Sequence, residues 1–523
     1  MRKIIYTIIG LLGLGLSSCD SFLDTMPDNR AEVDSPDKVK KLLVSAYPYA
    51  SYILFCEISS DNVDKTGEFN PNGSMFTDQI YHWEDVKESN NEAPKNFWSG
   101  CYGAIAAANQ ALLAIDELGN TPELQGSRAE ALLSRAYAHF LLVNVFGQHY
   151  SPEHSGTDLG VHYMTAPETT LDPKYDRESV LSNYENIEAD LVAALPNAHK
   201  TTYDVPKYHF NENAAYAFAT RFYLYKGDME KTIEYATKTL GAMPQSFLRD
   251  NKYLATLPQD GTTTAIAFVN PSMKANLLLL TANSRLGLIY GPYTTESRYT
   301  HNETISKTET FDINKAPWGA ISDSKVYYVR SRTYSGTNLN KVIMPRLPYF
   351  FEYSDPVAGV GYYKTVYDGF TADEALLSRA EAYVRTNQFS LAVADINMWL
   401  QAYVKDYVPV TQEDIVAWTE GYDYYTPDKP TPIKELNPDF EIDKGGVQEK
   451  LLQYVLYLRR FEVLHTGLRW FDIKRYGIKV TRRLVDGGKV AQVLPYVLDK
   501  RDNRQAFQLP ADVITAGMTP NPR

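Results

Sequence analysis

The apolar residues in the first half of the chain recur at the spacing of α-helices. Two runs show the pattern most plainly, the first with a 3,4,3 and the second with a 4,4,3 spacing: Ile105, Ala108, Leu112 and Ile115; Leu132, Ala136, Phe140 and Val143. Further helices are predicted from Tyr184 to Leu195, where Pro196 ends the pattern, and from Ala214 to Tyr225. Gly227 then separates this last helix from another that runs to about Leu240. Pairs of helices are therefore the predicted building unit.

An internal repeat indicates the kind of helix pair. The heptapeptide E-A-L-L-S-R-A occurs at Glu130 to Ala136 and again at Glu374 to Ala380, and the segment that begins at Ala219 resembles it. The last two segments run into a turn and a second amphipathic helix, as tetratricopeptide-type hairpins do. The predicted fold class is mainly α, with tetratricopeptide-like helical hairpins as its scaffold.

The helical pattern is interrupted between about residues 242 and 370. This stretch is rich in Tyr, Thr, Ser, Asn, Pro and Gly, and it is too long for a plain loop. Its alternating runs Ala265 to Val269 and Lys325 to Val329 are predicted to be short strands. We predict a single domain from residue 19 to 523, with a helical scaffold at about 37–241 and 372–480 and a loop-rich ligand-binding insertion at about 242–370.

The first residues of the chain form an export signal. Arg2 and Lys3 precede an apolar run from Ile4 to Leu16, which is shorter than the roughly 20 residues that a membrane-spanning helix needs. The run ends in L-S-S-C, which looks like a bacterial lipobox. We therefore predict a signal peptide at residues 1–18 and lipidation of Cys19. An ordinary secretory signal that ends near a cysteine is the alternative.

The net charge argues against a nucleic acid as partner, and the cysteine content raises the question of a disulfide. The formal net charge is −12, which does not suit a nucleic acid as partner. Cys56 and Cys101 remain after the signal, and an exported protein meets an oxidising environment in which they could pair. Because the sequence does not give their separation, it leaves open whether they form a disulfide.

The chain contains groups that could be mistaken for an active site. The set Arg459, Arg460, Glu462, Arg469 and Asp472 lies in and after an amphipathic helix, and we interpret it as ion pairs that lock the C-terminal segment to the core. The same interpretation applies to arginines set inside the hairpin helices: Arg135, Arg221 and Arg379. Nucleophile and phosphate-binding motifs are absent, so no catalytic residue and no cofactor is predicted. A glycosidase needs only two carboxylates, and 64 acidic residues leave that alternative open.

Metal sites are not predicted either. His149, His154 and His162 lack zinc-ligand spacing, and the loop from Asp61 to Glu68 misses the calcium-loop pattern. The sequence does not decide whether a structural calcium ion is bound.

Aromatic residues outside the periodic helices are the candidate ligand-binding groups. The chain has 39 tyrosines, and tyrosine and tryptophan rings combine a flat apolar face with a polar edge. Two clusters stand out: Phe69, Phe76, Tyr81 and Trp83; Tyr290, Tyr293, Tyr299, Trp318, Tyr327 and Tyr328. Polar neighbours could add hydrogen bonds: Asn72, Asp78, Asn283 and Arg298. The alternative is that these rings bury the underside of long loops.

Five segments, in order along the chain, resemble one known family. They are C-D-S-F-L-D-T-M-P from Cys19, R-A-Y-A-H-F-L-L-V-N-V-F-G from Arg135, Y-E-N-I-E-A-D-L from Tyr184, D-E-A-L-L-S-R-A-E-A-Y from Asp373 and R-R-F-E-V-L-H-T-G-L-R-W-F-D-I-K-R-Y-G from Arg459. Each is similar to a characteristic segment of the SusD/RagB outer-membrane nutrient-binding lipoproteins. Thr466, Leu468 and Tyr476 depart from the family's usual residues.

The resemblance implies a function without catalysis. A member of this family would be a lipid-anchored outer-membrane protein, facing the cell exterior, that binds an oligosaccharide or polysaccharide in loops between its helices and delivers it to a SusC-like TonB-dependent transporter. A peptide ligand, as in one branch of the family, is the first alternative. A surface glycosidase and a protein-interaction scaffold are the others.

Overall fold

The computed structural model describes residues 33–170, 173–258, 260–313 and 327–523, and in them the chain is mainly α, as predicted. The longer helices are α1 (Pro36–Leu43), α4 (Pro94–Glu117), α5 (Gln125–Phe146), α6 (Val180–Ala194), α7 (Glu212–Lys226), α8 (Met229–Leu240), α10 (Gly261–Phe268), α13 (Ala372–Arg385), α14 (Phe389–Tyr403), α15 (Gln412–Glu420), α16 (Val447–Glu462) and α17 (Leu468–Tyr476). The shorter helices are α2 (Ile53–Ser59), α3 (Met75–Tyr81), α9 (Asn251–Thr256), α11 (Leu286–Ile289), α12 (Glu303–Glu309) and α18 (Ala511–Thr515).

The strands form small sheets beside the helices. They are β1 (Asp64–Thr66), β2 (Asn276–Ala282), β3 (Tyr299–Thr300), β4 (Arg332–Gly336), β5 (Leu339–Ile343), β6 (Phe350–Asp355), β7 (Val360–Thr371), β8 (Val480–Asp486) and β9 (Lys489–Leu498). Their orders are β3-β1-β8-β9, β2-β7-β6 and β4-β5. Within the first sheet β1 runs parallel to β8, so a short strand near the N-terminus is joined to the C-terminal hairpin.

Helical hairpins make up the scaffold. α4 packs on α5, α7 on α8, and α13 on α14. The turn between α7 and α8 needs Gly227, whose φ of 86° lies in the left-handed region. The repeated heptapeptide lies on α5 and α13.

Two hairpins that are far apart in the sequence are neighbours in space. α8 packs against α13, although the whole segment from α9 to β7 lies between them in the chain. Arg379 Nη1 donates to Thr237 Oγ1 at 3.1 Å, and the backbone N–H of Arg249 donates to Asp373 Oδ1 at 3.2 Å. The segment between the two hairpins therefore leaves the scaffold and returns to it at one place.

One strand prediction inside this segment is wrong. Residues 265–269 lie in and just after α10, because Asp260 caps that helix by accepting a hydrogen bond from the backbone N–H of Thr263 at 2.6 Å. For the second predicted strand, residues 325 and 326 lie outside the described residues, and Tyr327 forms an isolated bridge with Val404.

The six arginines singled out from the sequence are engaged in buried ion pairs, as their positions indicated. The closest nitrogen–oxygen distances are 2.7 Å for Arg135 with Asp190, 2.8 Å for Arg379 with Asp395 and 3.1 Å for Arg459 with Asp472. They are 3.0 Å for Arg460 with Glu309 and 2.8 Å for Arg469 with Asp61. Arg221 binds the carboxylate of Glu374 through two of its guanidinium nitrogens, one of them at 2.7 Å. Asp61 comes from the N-terminal part of the chain and Arg469 from the C-terminal part. These pairs therefore hold distant segments to one core.

Several sequence features have a plain structural outcome. Cys56 and Cys101 are buried free thiols. In the part of the chain that the structure describes, no helix is long and apolar enough to cross a membrane, and no group of three or more His, Cys, Asp or Glu side chains could hold a metal ion. The predicted signal peptide and Cys19 lie outside the described residues.

Candidate ligand-binding surface

The fold brings together the two regions in which the aromatic clusters were predicted. The ring of Tyr81 stacks on that of Tyr299 with centroids 4.2 Å apart. Arg298 Nη1 donates to Asp78 Oδ1 at 2.7 Å, and the Tyr299 hydroxyl donates to the same oxygen at 2.7 Å. The region around residues 69–83 and the region around residues 290–299 therefore form one continuous part of the surface and its underlying core.

Most of the predicted rings in this part of the molecule are buried. Phe76, Tyr81, Trp83, Tyr299 and Tyr327 all belong to the core. The guanidinium of Arg482 lies 4.1 Å from the ring centroids of both Tyr81 and Trp83. Because all five rings are buried, they stabilise the fold and offer no free face to a ligand.

The remaining predicted residues differ in exposure. Phe69 is 88% exposed and Tyr293 is 42% exposed. Tyr290 is half-buried and stacks on His465 at 4.4 Å, and Tyr328 is half-buried with the ammonium groups of Lys252 and Lys405 about 6 Å from its ring centroid. Trp318 lies outside the described residues.

Among the described residues, a further group of exposed aromatic side chains lies on the hairpin of β6 and β7 and just before it. The hairpin falls inside the predicted ligand-binding insertion, but none of its residues was among the predicted site residues. Tyr349, Phe350, Tyr353, Tyr362 and Tyr363 are all exposed, Tyr353 to 57%. The outer half of the hairpin is solvent-exposed on both faces, and Val357 at its tip is 99% exposed. A soluble domain rarely exposes so many large apolar groups together unless they bind something.

Strand register sorts these rings onto two faces. Phe351 pairs with Tyr363, and Tyr353 pairs with Gly361, so their side chains share one face. The Phe351 ring lies edge-on to the rings of Tyr353 at 4.9 Å and of Tyr363 at 5.1 Å, and Tyr349 lies 5.8 Å from Tyr363. The opposite face carries the ion pair of Glu352 with Lys364.

The loop that carries Tyr293 lies beside this face. A Cβ at Gly287 would come within 2.5 Å of the backbone of Pro348 and Tyr349, so the segment that leads into this loop packs directly on the base of the hairpin. Burial raises the pKa of Tyr349, and the phenol groups of Tyr363, Tyr293 and Tyr353 raise it further. We call the set Tyr293, Tyr349, Phe351, Tyr353 and Tyr363 the aromatic face. Of these five residues, Tyr293 was predicted from the sequence as a ligand-binding residue and the other four were not.

The base of the hairpin is held firmly to the rest of the protein. The backbone N–H of Ser284 donates to the carbonyl oxygen of Tyr363 at 3.0 Å. Only glycine allows the close approach of Gly287 to the backbone of Pro348 and Tyr349. At the other end, Asp355 accepts hydrogen bonds from the two backbone N–H groups that follow Pro356 in the turn. The aromatic face is thus preformed on a rigid support.

The side chains of this face are suited to ring stacking and to hydrogen bonding. Its members are phenol and phenyl rings, which stack on the apolar faces of sugar rings or on other planar groups, and whose hydroxyl groups donate and accept hydrogen bonds. The nearby charged side chains already have partners, since Arg285 pairs with Glu296 at 3.7 Å and Glu352 with Lys364.

Comparison with known proteins finds one family model that matches part of the chain. Residues 21–224 match the family model of SusD-like proteins described as starch-binding and associating with the outer membrane. No curated protein sequence is significantly similar to the chain.

Solved structures share the fold over nearly the whole chain. A candidate sugar-binding protein from Bacteroides vulgatus superposes with a TM-score of 0.63 at 18% identity, covering 94% of this chain and 99% of that one. A SusD superfamily protein from Bacteroides thetaiotaomicron gives 0.59 at 18% identity, with 94% and 100% covered. A SusD-like carbohydrate binding protein from Bacteroides vulgatus gives 0.57 at 14% identity, with 92% and 96% covered. Residues 21–224 therefore resemble the SusD-like family model, and nearly the whole chain shares the fold of these solved structures.

Proposed function

We propose that this protein captures a glycan on the aromatic face and delivers it to a TonB-dependent transporter of the outer membrane. A lipid on Cys19 would hold it at the cell surface, and the protein would catalyse no reaction. The observation that carries the proposal is the exposed aromatic face on the hairpin of β6 and β7. The family description, starch-binding and associating with the outer membrane, supports a glycan as ligand.

The physical argument is the match between surface and ligand. A pyranose ring has an apolar face of C–H groups and a rim of hydroxyl groups, and tyrosine offers an apolar ring beside a hydroxyl group. Several such rings on one face bind successive sugar units, so weak contacts add up. Anchoring the protein at the membrane raises its effective concentration there, and each contact can then be weak and still useful.

A peptide ligand is the second candidate, and one observation favours it. Among the described residues β6 is the outer strand of the β2-β7-β6 sheet, so its outer edge can pair with an extended peptide backbone. Both candidates place the ligand at the same hairpin. They differ in whether backbone hydrogen bonds or ring stacking supply the affinity.

The test is a binding screen of the soluble chain that begins at Asp20. Oligosaccharides, polysaccharides including starch, and peptides are titrated by calorimetry, and the mixtures are checked for cleavage products. Tyr353→Ala and Tyr363→Ala are expected to weaken glycan binding at least roughly tenfold, the effect of losing a central aromatic contact. Tyr253→Ala, on α9, removes an equally exposed ring elsewhere and is expected to bind like wild type.

The outcomes separate the alternatives. Glycan binding that survives both hairpin substitutions would contradict the proposed surface. Binding of peptides alone would select the second candidate. Cleavage of the bound glycan would make the protein an enzyme, and binding to none of the compounds would rule out capture of these ligand classes.

A further inference from the structure

Lys341, in β5, is a buried lysine with an unusual set of partners. Its side chain is 1% exposed. Its ammonium donates to the carbonyl oxygens of Ile289 at 2.8 Å, Tyr293 at 2.7 Å and Thr295 at 2.9 Å. In the described ranges it forms no ion pair with a carboxylate. All its hydrogen bonds therefore go to the backbone of one loop.

Burying this ammonium is costly. An ammonium that leaves water without a carboxylate partner costs several kcal/mol. Burial lowers the pKa of Lys341 to about 7, although the charge of Glu296 acts in the opposite direction. An apolar residue would fill the same place in β5 without this cost. The lysine must then be explained by its hydrogen bonds.

Those hydrogen bonds set the shape of the loop that carries Tyr293. Three N–H groups of one ammonium match three carbonyl groups that converge from residues 289–295, so the loop is wrapped around a single nitrogen. The Tyr293 ring lies against Gly291, where an added Cβ would come within 3.1 Å of Cδ2. The orientation of this ring therefore depends on how the loop backbone is held.

The far end of the same loop is fixed independently. Glu296 accepts hydrogen bonds from Ser74 Oγ at 3.2 Å and Thr77 Oγ1 at 2.9 Å. The backbone N–H of Arg298 donates to the carbonyl oxygen of Asn72 at 3.0 Å. These contacts hold residues 296–298, whereas Lys341 supports the stretch that includes Tyr293.

We propose that Lys341 is a positioning residue of the ligand-binding surface, which holds the loop of residues 289–295 so that Tyr293 completes the aromatic face. This inference rests on the proposed function, because it assigns Tyr293 a place in ligand binding. It does not assign Lys341 any contact with the ligand.

The test compares substitutions at two buried lysines. Lys341→Met keeps the length and removes the ammonium, and Lys341→Arg restores a cation with several donors. Lys474→Met is the matched control, because Lys474 is also 1% exposed and donates to two backbone carbonyls, those of Asn144 and Gly147, which lie in the scaffold. Tyr293→Ala reports the contribution of the ring itself. Each chain begins at Asp20.

Two measurements are made on each variant. Hydrogen exchange is followed on the amides of residues 289–295, and affinity is measured by calorimetry for starch and for every other glycan that the wild-type chain binds. We expect Lys341→Met to exchange at least tenfold faster in the loop and to weaken glycan binding as much as Tyr293→Ala does. Lys341→Arg is expected to recover part of both. Lys474→Met is expected to bind glycan like wild type even where it lowers thermal stability.

The two proposals fail in different ways. If wild type binds glycan and Tyr293→Ala weakens the binding, but Lys341→Met binds normally, Lys341 is not a positioning residue. Wild-type affinity in Tyr293→Ala also overturns the inference, and leaves the hairpin substitutions to decide the proposed function. A wild-type chain that binds no glycan overturns both.

Discussion

Burial separates two kinds of aromatic residue that look alike in the sequence. Trp83 and Tyr353 both lie outside the helices that the sequence predicts, yet Trp83 is 6% exposed and Tyr353 is 57% exposed. The difference comes from Arg482, which covers Trp83 and donates to the carbonyl oxygens of Tyr81, Ile58, Ser59 and Ser60 at 2.6 to 3.1 Å. Because Arg482 is distant in the chain, no local pattern predicts this contact.

Replacing Trp83 is therefore expected to affect stability first. Trp83→Ala removes a core ring and the hydrogen bond that its Nε1 donates to the carbonyl oxygen of Ser59 at 3.0 Å. We expect the free energy of unfolding to fall by about 3–5 kcal/mol. Urea unfolding measures the change, with the exposed Phe69→Ala as a control that stays within about 0.5 kcal/mol of wild type. Wild-type stability in Trp83→Ala would contradict the core assignment.

At the scale of secondary-structure elements, helices were easier to predict than strands. The helix pattern is local, and α6, α7 and α8 match their predicted ranges closely. The hairpins β6-β7 and β8-β9 were missed, although Asp486-Gly487-Gly488 is a turn signal between two apolar runs. The rings that the hairpin of β6 and β7 contributes to the candidate surface were missed with it. A run of aromatic residues does not by itself predict a β-hairpin, nor which of its side chains stay exposed to solvent, because both depend on the register of strand pairing.

A buried charge cluster joins elements that sequence patterns leave unconnected. Glu309, at the end of α12, binds Lys434 at 2.7 Å, Arg460 of α16 at 3.0 Å and Arg483 of β8 at 2.8 Å. Burial alone would raise the pKa of Glu309, but the charges of Lys434, Arg483 and Arg460 lower it to about 2. The folded state thus favours the charged carboxylate more than the unfolded chain does.

This cluster predicts a defined loss of stability in acid. Since the folded pKa of Glu309 lies below its ordinary value near 4.5, its stabilising contribution is present above that value and is lost as the pH falls towards about 2. The shift corresponds to roughly 3 kcal/mol at neutral pH. We expect Glu309→Gln to be destabilised by that order at pH 7, with the difference from wild type shrinking as the pH falls.

Urea midpoints at several pH values between 7 and 3 check this expectation. Glu303→Gln is the control on the same helix, because Glu303 pairs with the exposed Lys307 and such a pair contributes little. A difference between Glu309→Gln and wild type that stays constant with pH would show that the charge of Glu309 is not the cause.

At the scale of the whole molecule, one hydrophobic core contains residues from the N-terminal and the C-terminal parts of the chain. Cys56 of α2 and Cys101 of α4 are both fully buried in it, and burial raises the pKa of both thiols. Neither thiol is poised to react while the protein stays folded.

These thiols therefore report global unfolding. In the chain that begins at Asp20, Cys19 is absent and two of the three cysteines remain. We expect an aromatic disulfide reagent to leave both unmodified under native conditions and to modify both in denaturant. Phe69→Cys, at an exposed position, is expected to react at once. Immediate modification of the wild-type chain would contradict the burial of these thiols.

The direct packing of α8 against α13 has a consequence for how such a protein can change. The segment between them starts and ends at neighbouring points, so its length and sequence can vary with little effect on the entropy of closing it. The inner part of this segment is tied to the core by the buried ion pairs of Glu309, whereas the outer half of the hairpin of β6 and β7 is exposed on both faces. Substitutions in that outer half can therefore reshape the proposed ligand-binding surface without disturbing the core.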